Sequence, residues 1–391
     1  MNGLCLTNAQ ARRFLLRKHG LLGEPVFAGK AGVLDFVQRV GCVQFDPVDV
    51  CGKNAELVLQ SRVAGFDKPM LGALLYEDRA LVDYFDKNLS IFATCDWPYF
   101  ARRRAHHRAR ERSHVEILTV ADDIKRHIAA HGAVCSADLD LPDKVNWYWS
   151  ETRLSRAALE HLYFAGELGI HHKRGGIKYY DLIERCLPAE LAQASDPFPD
   201  DGDHLAWRVL RRIGAVGLLW NRASDAWLGI DGLNAASRAA SFDTLLAQGH
   251  IAPVTVEGVR EPLYVRAEDL PLAARCAAGE EFSPRCELIA PLDNLLWDRK
   301  LIRALFGFDY KWEIYTPVEQ RKYGHYVLPL LWGDRFAARV EPAVDRRRGV
   351  LTIKNIWHEE GCHVPPDTLN NCFARFAAFN DCGTVTMSGT M

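Results

Sequence analysis

No CxxC pair occurs in the 391 residues, and the eleven cysteines, an odd number, lie scattered from Cys5 to Cys382. That pattern argues against both a structural zinc ribbon and a disulfide framework. The nearest approach to a metal set is Cys362-His363 with Cys372 and Cys382. The last two fall on an amphipathic stretch with Leu369, Phe373 and Phe376, where buried free thiols are expected. His106-His107 and His171-His172 are adjacent pairs, and side chains at i and i+1 diverge on a helix or strand, so neither makes a clamp. No metal and no cofactor is expected.

Charge imbalance is also missing: 48 Lys and Arg face 50 Asp and Glu, for a formal net charge of −2. Such a chain can hold a polyanion only by gathering its positive charge on one face. The opening MNGLCLTNAQARRFLLRKHG has no apolar core of signal-peptide length, and no run approaches a membrane span. A cytoplasmic, monomeric protein is expected. The remaining composition, 48% apolar, 25% charged and 10% aromatic, is that of a globular chain with roughly two to four domains.

The stretch VGCVQFDPVD at 40–49 sets Gln44 and Asp46 among apolar neighbours. In a strand, period two sends Val43 and Phe45 to one face and Gln44 and Asp46 to the other. Pro47 cannot donate to a ladder and holds Asp46 extended, so the strand should stop there. An amide and a carboxylate so placed either grip a water molecule or form a satisfied pair capping the next turn.

Thr7 with Gln10 predicts a capping box opening a helix to about residue 19, and a second helix covers about 30–39. The run ARRRAHHRARER at 101–112 carries six arginines and two histidines; it is either a solvated helix face or a phosphate contact. Ser150 is a candidate N-cap, and Leu154, Ala158, Leu162 and Ala165 recur at helical spacing. After Gly169, IHHKRGGIKYYDL predicts two short strands joined at Gly175-Gly176, a hairpin signal. A helix leading into a basic-tipped hairpin is the winged-helix pattern, with Lys173, Arg174 and Lys178 on the wing. Residues 189–203 are Pro- and acid-rich and read as a linker. Helices over about 204–213, 215–227 and 234–249 then precede a second hairpin signal at Glu257-Gly258. From about 281, short alternating runs and turns predict a small β-rich domain closed by a helix at about 366–380. At its start Asp293, Asn294, Trp297, Asp298 and Arg299 either line a pocket or form a buried Asp–Arg lock between domains.

VQFDPV, WSETRLSRAALEHLYFAGELGI with its wing, and PLDNLLWDR followed by LFGFDYKWEIYTPVEQRKYGHYVLP together resemble the YcaQ/AlkZ-like bacterial DNA glycosylases, in the same order over nearly the whole chain. The resemblance implies a mainly α fold with β hairpins (α+β): tandem winged helix-turn-helix domains in a C-shaped arrangement plus a small β-rich C-terminal domain. The expected domains are 1–115 with the motif, 116–188, 204–280 and 281–391. The family's motif is Gln-x-Gln in one branch and Gln-x-Asp in the other; Gln44-Phe45-Asp46 resembles the YcaQ type. This implies excision of N7-alkylated purines and unhooking of interstrand crosslinks in duplex DNA, with Asp46 and Gln44 catalytic. From charge and position, Arg102, Arg103, Arg104, Arg108, Arg153, Lys173, Arg174 and Lys178 are the expected DNA contacts. No lysine lies within the motif, and Lys53 is the nearest afterwards, so a monofunctional enzyme using water is expected. The competing reading is a winged-helix transcriptional regulator, which gives the Gln and Asp pair no role.

Overall fold

The computed structural model describes residues 3–109, 114–148 and 150–388. Its contacts divide the chain into two compact units, one of residues 1–71, 86–91 and 202–391, the other of 72–85 and 92–201. Among the described residues no helix is long and apolar enough to cross a membrane.

In the larger unit the capping box forms: Gln10 N–H donates to Thr7 Oγ1 at 3.2 Å and Thr7 N–H to Gln10 Oε1 at 2.8 Å, opening the Asn8–Lys18 helix. Its Phe14, Leu15 and Leu16 are fully buried, each contributing roughly 1.5–3 kcal/mol. The Gly29–Val40 helix leads into the Cys42–Gln44 strand. Farther on, helices Asp201–Val216 and Ala235–Ala247 precede an antiparallel hairpin, Ile251–Val256 with Leu263–Arg266, in the order of a winged helix. Its third strand comes from the other end of the chain: Leu4–Leu6 joins in parallel, Leu4 opposite Val254.

The helix expected over 215–227 does not form. The Asp201–Val216 helix stops at Gly217, whose φ of +104° favours glycine and where a Cβ would meet Leu15 Cδ2 at 2.9 Å. Beyond it the chain holds one short helical turn, Asp225–Trp227, capped by Ser224.

The C-terminal strands form a five-stranded sheet in the order Cys286–Leu288, Leu328–Trp332, Arg335–Asp345, Val350–His358 and Thr384–Met387, the last pair parallel. Pro342 sits at a bulge, where a residue without an N–H can be accommodated. The Pro366–Phe379 helix buries Cys372, Phe373 and Phe376, and Cys372 and Cys382 are buried free thiols. Asp293 forms a buried ion pair within this one unit, with Arg62 and not with neighbouring Arg299: both carboxylate oxygens lie 2.8 Å from Arg62 Nη2. Asp298 accepts from Trp220 Nε1 at 2.8 Å and caps the Arg299–Phe306 helix through Leu301 N–H at 2.9 Å.

The smaller unit is built on helices Ala101–Ala109, His114–His131 and Leu154–Phe164. Ser150 does not cap the last of these. It pairs with Trp147 in a hairpin, Lys144–Trp147 with Ser150–Arg153, and the helix begins at Leu154. The wing forms as an antiparallel hairpin, Leu168–Arg174 with Ile177–Leu182, turning at Gly175-Gly176. Tyr84, Trp97 and Tyr163 pack edge to face at 5.0 and 5.8 Å, and Tyr163 donates to Asp83 O at 2.9 Å.

Candidate active site

The strand after the Gly29–Val40 helix is only three residues long, and Phe45 N–H still reaches Leu89 O at 2.9 Å. Gln44 is 6% exposed. Its backbone carbonyl accepts from Asn54 Nδ2 at 2.8 Å, which ties the strand end to the Asn54–Gln60 helix. Past it the chain leaves the strand through Pro47. Asp46, half-buried, accepts from Val48 N–H at 2.9 Å through Oδ1; among the described residues its Oδ2 takes no hydrogen bond. Burial pushes the Asp46 carboxyl above the ordinary value of 3.8, and the Val48 hydrogen bond opposes that rise only in part. A carboxylate held this way is more basic than a free one, which suits it to take a proton.

Sequence reasoning missed the residue beneath this pair. Lys87, 5% exposed, donates from Nζ to Gln44 Oε1 at 3.1 Å and lies 5.0 Å over the Trp297 ring. Lys53, the expected nearest lysine, pairs with Glu56 at 3.8 Å. Nearness in sequence misled because Lys87 arrives from the bend between strands Leu81–Asp86 and Asn88–Ala93, 43 residues from Gln44. Burial first, then Arg212, lowers the Lys87 ammonium to about 8.

Next to it, Asp86 is knotted to three arginines of the Asp201–Val216 helix: Arg208 at 2.9 Å, Arg211 at 2.7 Å and Arg212 at 3.1 Å. Burial works to raise the Asp86 carboxyl, but Arg212, Arg211 and Arg208 hold it well below the carboxylate range. Gly229 closes over this knot; a Cβ there would stand 2.2 Å from Asp86 O. Trp297 Nε1 donates to Leu292 O at 3.0 Å and Asn294 Nδ2 to Cys42 O at 2.8 Å, so Asn294 ties the polar stretch at 293–298 to the strand. Among the described residues no group of three His, Cys, Asp or Glu side chains is placed to hold a metal ion.

The expected DNA contacts fall into two sets. Arg104 is buried, with Nη1 donating to Trp97 O at 2.7 Å and its guanidinium 4.3 Å over that ring, so it packs in the core. Arg102 is held by Asp196 at 2.6 Å and by Asp201, and Lys173 by Asp83 at 3.0 Å. Lys178, opposite Lys173 in the hairpin, leans over Tyr163 at 5.5 Å. Arg103 lies 5.5 Å over Phe85, and Arg108 donates to Ala165 O at 3.1 Å. Arg153 and Arg174 are exposed, the latter 5.1 Å over Tyr179. Arg110 and Arg112 of the basic run lie outside the described residues.

The strand-end amide and carboxylate stand on a scaffold of helices and winged hairpins, and residues 37–379 match the model of the AlkZ-like DNA glycosylases. The chain belongs to that family and is a DNA glycosylase. Its structure is similar to that of the DNA glycosylase AlkZ of Streptomyces sahachiroi, with a TM-score of 0.65 and 16% identity over 98% of this chain and 99% of that one. At that identity the likeness shows the fold. Family membership sets aside the regulator reading.

Proposed function

We propose that this glycosylase hydrolyses the N-glycosidic bond of N7-alkylated purines, including purines crosslinked between strands, and that Asp46 and Gln44 carry the reaction. The observation that supports this most is the half-buried Asp46 carboxylate beside a buried, hydrogen-bonded Gln44. Leaving of a neutral purine calls for a general acid. An N7-alkylated purine already bears positive charge, so one carboxylate suffices. The C1′–N9 bond breaks with its electron pair passing to the base, which becomes neutral. The sugar passes through an oxocarbenium-like state that the Asp46 charge stabilises. A water oxygen then bonds to C1′ and its proton passes to Asp46. Gln44 orients that water or the sugar without adding charge.

A crosslinked purine stays tied to the opposite strand and cannot be fully extruded, so a site at a strand end suits it better than an enclosing pocket. The test is base release without added cofactor from two duplexes, one methylated at guanine N7 and one crosslinked through N7 positions. Free 7-methylguanine and strand separation are expected. Release from neither would overturn the reading.

A further inference from the structure

An amide can be turned either way: its oxygen accepts, its nitrogen donates, and the two ends have nearly the same shape. Which end of Gln44 faces the reaction is decided by the neighbour on its other side. That neighbour is Lys87, with Nζ 3.1 Å from Gln44 Oε1 and both residues buried. An ammonium has three donors and no acceptor. Flipping the amide would set its N–H pair against the ammonium, two buried donors face to face, so the oxygen must point at Lys87 and the nitrogen away.

Lys87 itself has little freedom. Its carbonyl accepts from Ser90 Oγ at 3.0 Å, its ammonium lies over Trp297, and the preceding Asp86 is bound by three arginines. Burial first, then Arg212 and Arg299, work against its charge while Asp225 favours it, and at about 8 it remains mostly protonated at neutral pH. A buried cation close to the motif does nothing by charge for a sugar that becomes positive. What it supplies is direction.

We propose that Lys87 is a positioning residue: by donating to Gln44 Oε1 it locks the amide so that Nε2–H is the end presented to the attacking water or the deoxyribose oxygen. This rests on the catalytic reading of Gln44 given above. The test is a double-mutant cycle on single-turnover release of 7-methylguanine, with duplex affinity measured in parallel, for the wild type, Lys87→Met, Gln44→Ala and the double variant. Lys87→Met should slow release about tenfold and leave the duplex Kd within about twofold. In the Gln44→Ala background it should cost nothing further, because there is no amide left to orient. An equal slowing in both backgrounds would overturn the proposal and leave the role of Gln44 intact. Wild-type release by Gln44→Ala would overturn both. A borohydride-trapped adduct with abasic DNA that disappears in Lys87→Met would also overturn it, by making the amine a nucleophile. Should Lys87→Met not fold, Lys87→Arg, still donor-only, gives the reading: release within about threefold of wild type supports the lock, and a loss as large as that of Gln44→Ala refutes it.

Discussion

Asp46 and Asp86 stand on two strand ends of the same unit and are treated in opposite ways. Asp86 is fully buried with three arginines, which hold its carboxyl well below the usual carboxylate range. Asp46 is half-buried with one backbone N–H, and its charge is held less firmly. The first arrangement suits a structural fastener, the second a group that must exchange a proton. A carboxylate gains stability from partners and reactivity from their scarcity.

The contrast breaks most visibly at Asp86. Asp86→Asn removes the charge that pairs with three guanidinium groups in the interior, and such a loss costs about 3–5 kcal/mol. Urea unfolding should show the midpoint falling by the corresponding amount. Asp46→Asn should behave inversely. Its stability should stay within about 0.5 kcal/mol of wild type, while single-turnover base release falls roughly a hundredfold. Asp46→Ala should be slower still. A normal rate with Asp46→Ala would make the strand-end pair structural.

Titration sharpens the contrast. The folded-state pKa of Asp46 is raised, so its contribution to stability is full below the unfolded carboxylate value and is lost as pH rises through the folded one. For Asp86 the folded value is depressed. Its contribution is present above the unfolded value and is lost as pH falls toward the folded one. Acid unfolding of the wild type should therefore be driven in part by Asp86, and Asp86→Asn should flatten that limb. Base release should decline on acidification with an inflection above 3.8, and Asp46→Asn should abolish the inflection.

The smallest expected effect carries the same contrast over to cations. Arg174→Glu, at an exposed wing position, should weaken duplex binding for all sequences alike and lower the salt slope by about 1 per lost contact. Arg104→Glu should instead lower thermal stability, since its guanidinium is packed on Trp97. An unchanged salt slope with Arg174→Glu would remove the wing from the interface.

Local features were legible wherever a few neighbouring residues decide the outcome. The Thr7–Gln10 box, the Gly175-Gly176 turn and the strand end before Pro47 are cases of backbone chemistry confined to about four residues. The misreadings arise from pairing that residue type alone does not reveal, most of it distant in sequence. Ser150 has the chemistry of a cap but pairs with Trp147, and the apolar stretch after Val216 is turned aside by Leu15 packing against Gly217. Asp293 finds Arg62, and Gln44 finds Lys87, across separations that no local pattern records. Counting arginines located a basic run, yet Arg102 and Arg104 are held by protein groups, because charge in a sequence does not say which way a side chain points.

The parallel pairing of Leu4–Leu6 with Ile251–Val256 has a consequence for how the molecule is made. Leu4 is synthesised about 250 residues before the partner it needs, and at ribosomal speeds of about 5–20 residues per second that wait lasts roughly 10–50 s. Throughout it, this strand is a short apolar edge without a sheet, on a chain whose neighbouring Asn8–Lys18 helix can already have folded. A cellular holder that recognises extended apolar segments has that interval in which to act, and a ribosome that stalls before Val254 leaves the strand permanently unmatched.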